Sequence, residues 1–270
     1  MRHALAYSRL ADRPIVDHCE DLDLLDGGVM HEGRVSSLLG LRGAPAASEE
    51  VAVVRDLTLA NATGGRLHLA HLSTAAAVGW VREAKARGVP VTAEVTPHHL
   101  LLTDEWVAGQ GTGAPYNTDC RVNPPLRSEA DRSALVAGLL NGTIDAIATD
   151  HAPHNVVDKD CEFDFAAPGI SGFETAFGLL MRLVHDGALD LPSLIRLLTV
   201  GPARAFRLEG GTLPVGAPAD LVVLDPDAEW TVDVARFHSK GKNSPLQGHR
   251  LRGMVRLTMV GGTVVHEALQ

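Results

Sequence analysis

The sequence predicts an α/β fold of (β/α)8 barrel type carrying part of a small β-domain, and three observations carry that expectation. Short apolar segments alternate with helical patterns along most of the chain, and those apolar segments end in polar or ionisable residues. From about Gly210 the texture changes to Val- and Thr-rich runs separated by Gly and Pro. A repeating β-α order in one sheet gives either a doubly wound sheet or a barrel. Polar residues at the carboxyl ends of several strands favour the barrel, whose active sites are built on that face.

The strands are expected in PIVDHCE (14–20), RLHLAHLS (66–73), VPVTAEVTPHH (89–99) and TIDAIATDHAPH (143–154). Helices are expected at 49–63, 75–87 and 128–140, where apolar residues recur at spacings of three and four. Ser73 or Thr74 can cap the helix at 75–87, and Gly88 can stop it ahead of Pro90. Two long connections, 21–48 and 100–127, read as functional loops or disordered segments. Helical patterns return at 172–186 and 191–206, and GTLPVGAPADLVVLDPDAEWTV and LRGMVRLTMVGGTVVH read as strands of the β-domain.

With 270 residues and 45% apolar content the chain is globular, and a formal charge of −9 argues against a nucleic-acid surface or an anionic membrane as its main partner. A small-molecule ligand fits better. No apolar run approaches the roughly 20 residues of a membrane span, and the amino-terminal stretch lacks the apolar core of a signal peptide, so a cytoplasmic location is expected. Cys19, Cys120 and Cys161 are too scattered for a disulfide framework and read as reduced packing residues. Thirteen histidines against 6 Phe, 3 Trp and 2 Tyr make a metal site worth seeking.

The four strand ends supply His18; His71; His98 with His99; and Asp150 with His151 and His154. Any one of these histidines, taken alone, is more often a hydrogen-bonded core residue than a ligand. Their recurrence at the same end of consecutive strands is what points to a metal, because zinc prefers imidazole and carboxylate ligands. His18 and His71 can hold a zinc and leave room for water, whose pKa zinc lowers to about 7. Asp150 can bind the metal, accept a proton during attack and deliver it to a leaving nitrogen. His154 lies in a loop that can turn it toward a ligand. Asn123, in RVNPPLR, sits where two prolines stiffen the backbone. His68 can face either side of its strand, and His98 and His99 remain unassigned.

Taken together, DHCED (17–21), AHLST (70–74), EVTPHHLLL (94–102), VNPPLRS (122–128), GTIDAIATDHAPH (142–154) and ADLVVLDPDAEWTV (219–232) resemble the long-form bacterial dihydroorotases of the amidohydrolase superfamily. The resemblance implies hydrolysis of the cyclic amide of (S)-dihydroorotate to N-carbamoyl-L-aspartate, in both directions, at a site holding two zinc ions. It implies that His18 and His71 bind the second metal. Asp150 would bind the first and act as general base and acid. Asn123, His154, Pro168 and Gly169 would contact substrate, His154 through the substrate carboxylate. A homodimer and an association with aspartate carbamoyltransferase are among its implications.

The family's first strand ends in His-x-His followed by Arg, an Asn comes later, and its fourth strand brings a bridging acidic residue or carboxylated lysine. None has a counterpart in these 270 residues. The expectation is therefore the carboxyl-terminal half of a TIM-type barrel over 1–209 and part of a small β-sandwich domain over 210–270, an amino-terminally truncated form with about half of a binuclear site. Two other readings stand beside it: a non-catalytic scaffold for the transferase, and another cyclic amidase such as an allantoinase or hydantoinase. A basic group at His154 suits the carboxylate that hydantoin and allantoin lack.

Overall fold

The computed structural model describes residues 1–111 and 113–268. The chain opens with a helix that the sequence pattern does not announce, α1 (Arg2–Ala11), which turns Leu5 and Ser8 inward. After β1 (Ile15–Asp17), the stretch expected to be irregular holds α2 (Leu22–Leu25), β2 (Met30–His31), α3 (Arg34–Leu39) and β3 (Gly43–Ala44), with β2 and β3 paired in parallel. The alternation then runs α4 (Ala47–Thr63), β4 (Leu67–Leu69), α5 (Ala75–Ala86), β5 (Val91–Val95), α6 (Pro97–Leu101), α7 (Glu129–Leu140), β6 (Ala146–Ile147), α8 (Phe173–His185), α9 (Leu191–Leu198) and α10 (Val200–Phe206). The helical pattern over 191–206 divides in two at Thr199, because Pro202 has no N–H to give to the Leu198 carbonyl and sits instead in the first turn of a new helix. β7 (Leu221–Thr231), β8 (Arg250–Val260) and β9 (Thr263–Glu267) form a separate antiparallel sheet.

The parallel sheet has the order β1-β4-β5-β6, each strand beside its successor. A doubly wound sheet would reverse direction across its first strand, so this one-way order is that of a barrel wall. Side chains alternate across it with period two. Leu67, Leu69, Val91, Ala93 and Val95 are buried in one cluster with Ala52, Val53, Leu57, Val78 and Val81 of α4 and α5. The register places Val16, His68 and Thr92 side by side on the opposite face.

That face settles His68, which is fully buried, with Nδ1 2.7 Å from Thr92 Oγ1 and Nε2 3.0 Å from a Glu94 carboxylate oxygen. It packs inside the sheet and is not at the strand end. Val16, on the edge strand of the same face, is 49% exposed.

Local chemistry explains where the helices begin. The Thr74 hydroxyl accepts from the Ala77 N–H and the Ser128 hydroxyl from the Asp131 N–H, satisfying donors that the first turn leaves open. The antiparallel sheet is joined to α8 by close backbone approach: a Cβ on Gly178 would lie 3.0 Å from Gly253 O. Trp230 Nε1 donates to the same carbonyl at 2.9 Å. Among the described residues no helix is long and apolar enough to cross a membrane.

Two glycines test the packing in opposite senses. A Cβ on Gly65 would stand 2.1 Å from Leu5 O, beneath α1, whereas one on Gly79, inside α5, meets nothing within 4 Å. Gly65→Ala is expected to destabilise by about 1–3 kcal/mol, and Gly79→Ala to stabilise by about 0.5–1 kcal/mol. Urea denaturation of the two variants checks both signs.

Candidate metal and ligand site

Because β1 and β4 pair with Asp17 opposite Leu69, the residues just past their ends are neighbours. His18 Nδ1 lies 3.1 Å from His71 Nε2, with the rings edge-on and their centroids 4.7 Å apart. Burial, and then the neighbouring His18, hold the His71 pKa below its ordinary value, while Asp150 pulls the other way. The pair is thus poised with ring nitrogens converging and His71 neutral, the form that binds metal. Two imidazole nitrogens bound at about 2.0–2.1 Å around a tetrahedral zinc stand about 3.3 Å apart. The observed spacing needs only a slight opening to take the ion, and the donor set fits it. His18 Nε2 is also 3.7 Å from Glu20 Oε1.

Asp150 follows β6 and reaches His71 electrostatically, so it shares the same end of the sheet. It does not close into one compact triad with the two imidazoles. The set of three ligand atoms within 4.8 Å of one another among the described residues is Asp17, Cys19 and Asp56. That cluster is structural in character. Burial pushes the Cys19 thiol far up, so it stays protonated and donates to Asp17 Oδ2 at 3.4 Å. Arg55 pairs with Asp56 at 2.7 Å, and burial with the nearby Asp56 raises the Asp17 carboxyl to about 6. Both His71 and Asp150 adopt left-handed backbone conformations, with φ of 33° and 47°. Such conformations are strained for residues with a Cβ and cluster at functional positions.

The remaining residues expected at a site lie on the loops after β5 and β6. His154 Nε2 is 3.0 Å from Pro168 O, and a Cβ on Gly169 would meet His154 Nε2 at 2.8 Å, so only glycine fits beside that ring. Gly169 N donates to Arg121 O at 2.8 Å, which brings the loop carrying Asn123 alongside. His99 anchors that loop: Nε2 donates to Pro124 O at 3.0 Å while Nδ1 faces Thr96 Oγ1 at 2.8 Å. His98 and His99, expected at the end of a strand, lie instead in a short buried helix, α6. His151 accepts from the N–H groups of Gly172 and Phe173 at 3.1 and 3.3 Å and stacks on the Phe173 ring, which makes it the cap of α8.

Sequence reasoning missed the supports. Glu49, 3% exposed, accepts from the backbone N–H groups of Ser73 and Thr74 at 3.0 Å each, and Arg127 Nε donates to Ser73 Oγ at 3.0 Å. The Glu49 carboxylate thus locks the turn that follows His71. Lys159, buried and lowered to about 8 by desolvation, donates to Thr118 O and Arg121 O and ties the two site loops together. Asn243 joins 152–154 to 169–171. An acidic residue in a helix and a lysine in a polar loop look like solvated surface in a sequence; only their burial reveals the task.

Comparison with known proteins places this geometry. The sequence model of the amidohydrolase family matches residues 20–265. The chain is 58% identical over 267 residues to a dihydroorotase of Anaeromyxobacter sp. (strain K) and 50% identical over 267 residues to one of Syntrophus aciditrophicus (strain SB). Each match covers 99% of this chain and 61% of the relative, so the chain spans about three fifths of the length of these curated proteins. Among solved structures, an L-hydantoinase of Arthrobacter aurescens superposes with a TM-score of 0.88 at 31% identity, over 100% of this chain and 60% of that one. A dihydropyrimidinase of Brevibacillus agri NCHU1002, at 23% identity and TM-score 0.85, shares the fold over 98% of this chain and 59% of its own.

The strain at Asp150 predicts that Asp150→Gly keeps or raises stability, by up to about 1 kcal/mol. Asp150→Val is expected to lower it by about 1–2 kcal/mol, both read by chemical denaturation. A second expectation concerns His99, whose pKa burial lowers to about 3. The unfolded chain takes up that proton first, so the contribution of His99 is complete above about pH 6.5 and is lost as pH falls toward the folded value. Relative to His99→Gln, the wild type should lose about 1.4 kcal/mol per pH unit between about pH 5.5 and 4. Parallel slopes in a pH series of denaturation curves would refute this.

Proposed function

The chain belongs to the amidohydrolase family, and from that premise we propose that it serves a dihydroorotase, hydrolysing and re-forming the cyclic amide of (S)-dihydroorotate. The observation that carries the choice of substrate is His154, an imidazole held against Pro168 O and the Gly169 backbone, where a ring bearing a carboxylate gains a basic partner. Identities of 58% and 50% to proteins named dihydroorotase, against 31% to a hydantoinase structure, support the same choice. We assign residues 1–209 to the metal-dependent hydrolase barrel and 210–270 to the small β-domain.

The residues divide the work as follows. His18 Nδ1 and His71 Nε2 would hold one metal ion, the second of the pair, and Asp150 would bind the first. Zinc, when bound there, would supply a Lewis acid able to polarise the amide carbonyl and acidify water. The Asp150 carboxylate orients the attacking water and accepts its proton as the new C–O bond forms. It returns that proton to the ring nitrogen as the C–N bond breaks, which leaves N-carbamoyl-L-aspartate and restores the carboxylate. Asn123 presents its amide to the flat amide portion of the ring, and His154 with the Pro168-Gly169 backbone holds the substrate carboxylate. The buried Glu49 and Arg127 keep the turn after His71 from shifting, so its imidazole stays aimed at His18.

Zinc uptake by equilibrium dialysis, read beside hydrolysis of (S)-dihydroorotate, tests the assignment. His71→Ala is expected to lower zinc affinity, and Asp150→Asn to cut turnover by about 10²–10⁴-fold without lowering stability. Undiminished turnover in Asp150→Asn, or faster hydrolysis of hydantoin than of dihydroorotate by the wild type, would overturn it.

A further inference from the structure

The carboxyl-terminal part of the chain reaches the loops of the ligand site through Gly241 and, most fully, through Asn243. Asn243, in the connection between β7 and β8, is 4% exposed and makes every hydrogen bond its side chain can usefully make. Its Nδ2 donates to Ala152 O at 3.0 Å and to Gly169 O at 2.9 Å. Its Oδ1 accepts from His154 N at 2.9 Å and from Ser171 Oγ at 2.8 Å. The orientation of the amide is unambiguous, because carbonyl oxygens only accept and a backbone N–H only donates. No other side chain of similar size offers two donors and an acceptor in that arrangement.

The backbone around it is equally committed. Ser171 N donates to Asn243 O at 2.8 Å, and the single hydroxyl hydrogen of Ser171 is shared between Asn243 Oδ1 at 2.8 Å and Gly241 O at 3.0 Å. Gly241 is pressed so closely on Pro153 that a Cβ there would lie 2.5 Å from Pro153 Cβ and 2.8 Å from His154 N. Ala152 N donates to Ile170 O at 3.0 Å, so 151–154 and 169–171 run side by side, with a single amide bracing both. His154 leaves one of these strips and Gly169 the other, and their separation sets the width of the place assigned to the substrate carboxylate.

We infer that Asn243 is a positioning residue for that carboxylate: it fixes the spacing of His154 from the Pro168-Gly169 backbone, and so selects a charged ring over an uncharged one. The inference rests on the dihydroorotase reading for the identity of the ligand, and on the hydrogen-bond pattern alone for the role of the residue. Asn243→Asp is the informative change. It keeps the shape and both accepted bonds, and turns two donated bonds into oxygen facing oxygen.

The test compares wild type and Asn243→Asp, with Asn243→Ala as a second variant. Calorimetry measures binding of (S)-dihydroorotate and of dihydrouracil, the same ring without its carboxylate. Hydrogen exchange follows the His154 amide, and equilibrium dialysis follows zinc. Both variants should lose dihydroorotate affinity by at least about tenfold, hold dihydrouracil affinity and zinc uptake near wild type, and exchange the His154 amide faster. Equal losses for both rings would reduce Asn243 to a general staple of the fold and overturn the inference, as would wild-type selectivity or unchanged His154 exchange in Asn243→Asp. A wild type that binds neither ring would defeat the dihydroorotase reading, and the exchange measurement would then decide the role of Asn243 by itself.

Discussion

Parallel pairing forces every strand of the central sheet to end on the same edge, and the rest of the molecule follows from that constraint. A crossover helix must return the chain after each strand, which is why α4, α5 and α7 cover one face. The polar residue after each strand is thereby delivered to a common rim. His18 and His71 come within 3.1 Å although 53 residues separate them, because β1 and β4 are neighbours in register. Asp150 joins the same rim from β6, two strands further along the sheet.

A rim of ionisable groups is unstable unless something behind it holds each group still and neutralises its polarity. Here the supporting layer is almost wholly buried. Glu49 spends its carboxylate on backbone N–H groups after β4, Arg127 reaches Ser73 and Ala44, and Lys159 grips two loop carbonyls. His98 and His99 are kept neutral by desolvation, His98 well below its ordinary pKa. Buried polar groups carry a large penalty when a partner is lost. The same bonds therefore define one arrangement of the rim and discourage others. Left-handed φ values at His71 and Asp150 belong to this picture, since the local strain persists only where the surroundings over-determine the backbone.

Much of the architecture was legible. Strand positions, the helices expected at 75–87 and 128–140 with a cap at Ser73 or Thr74, and the change to a Val- and Thr-rich sheet follow from periodicity and punctuation; the structure makes Thr74 the cap and puts Ser128 at the cap of the second helix. The misses have physical reasons. α1 is amphipathic but polar on the whole, with only Leu5 and Ser8 buried, so the stretch does not stand out as a core element. The connection over 21–48 forms two-residue strands, too short to show alternation. α6 begins at Pro97, which the pattern reads as the end of a strand but which is also a favoured first helical position.

The amino-acid sequence by itself determined the main alternation of sheet strands and covering helices, the chemistry available at the strand ends and, through its motifs, the family, because these depend on residue identity and short-range spacing. Tertiary structure alone decided which of those residues meet. It placed His68 inside the sheet although it lies three residues from His71, made His151 a helix cap although it adjoins Asp150, and drew Asn243 to His154 across 89 positions. Side-chain direction depends on register and on which backbone groups are left unsatisfied after folding, and neither quantity is written in any local stretch of the chain.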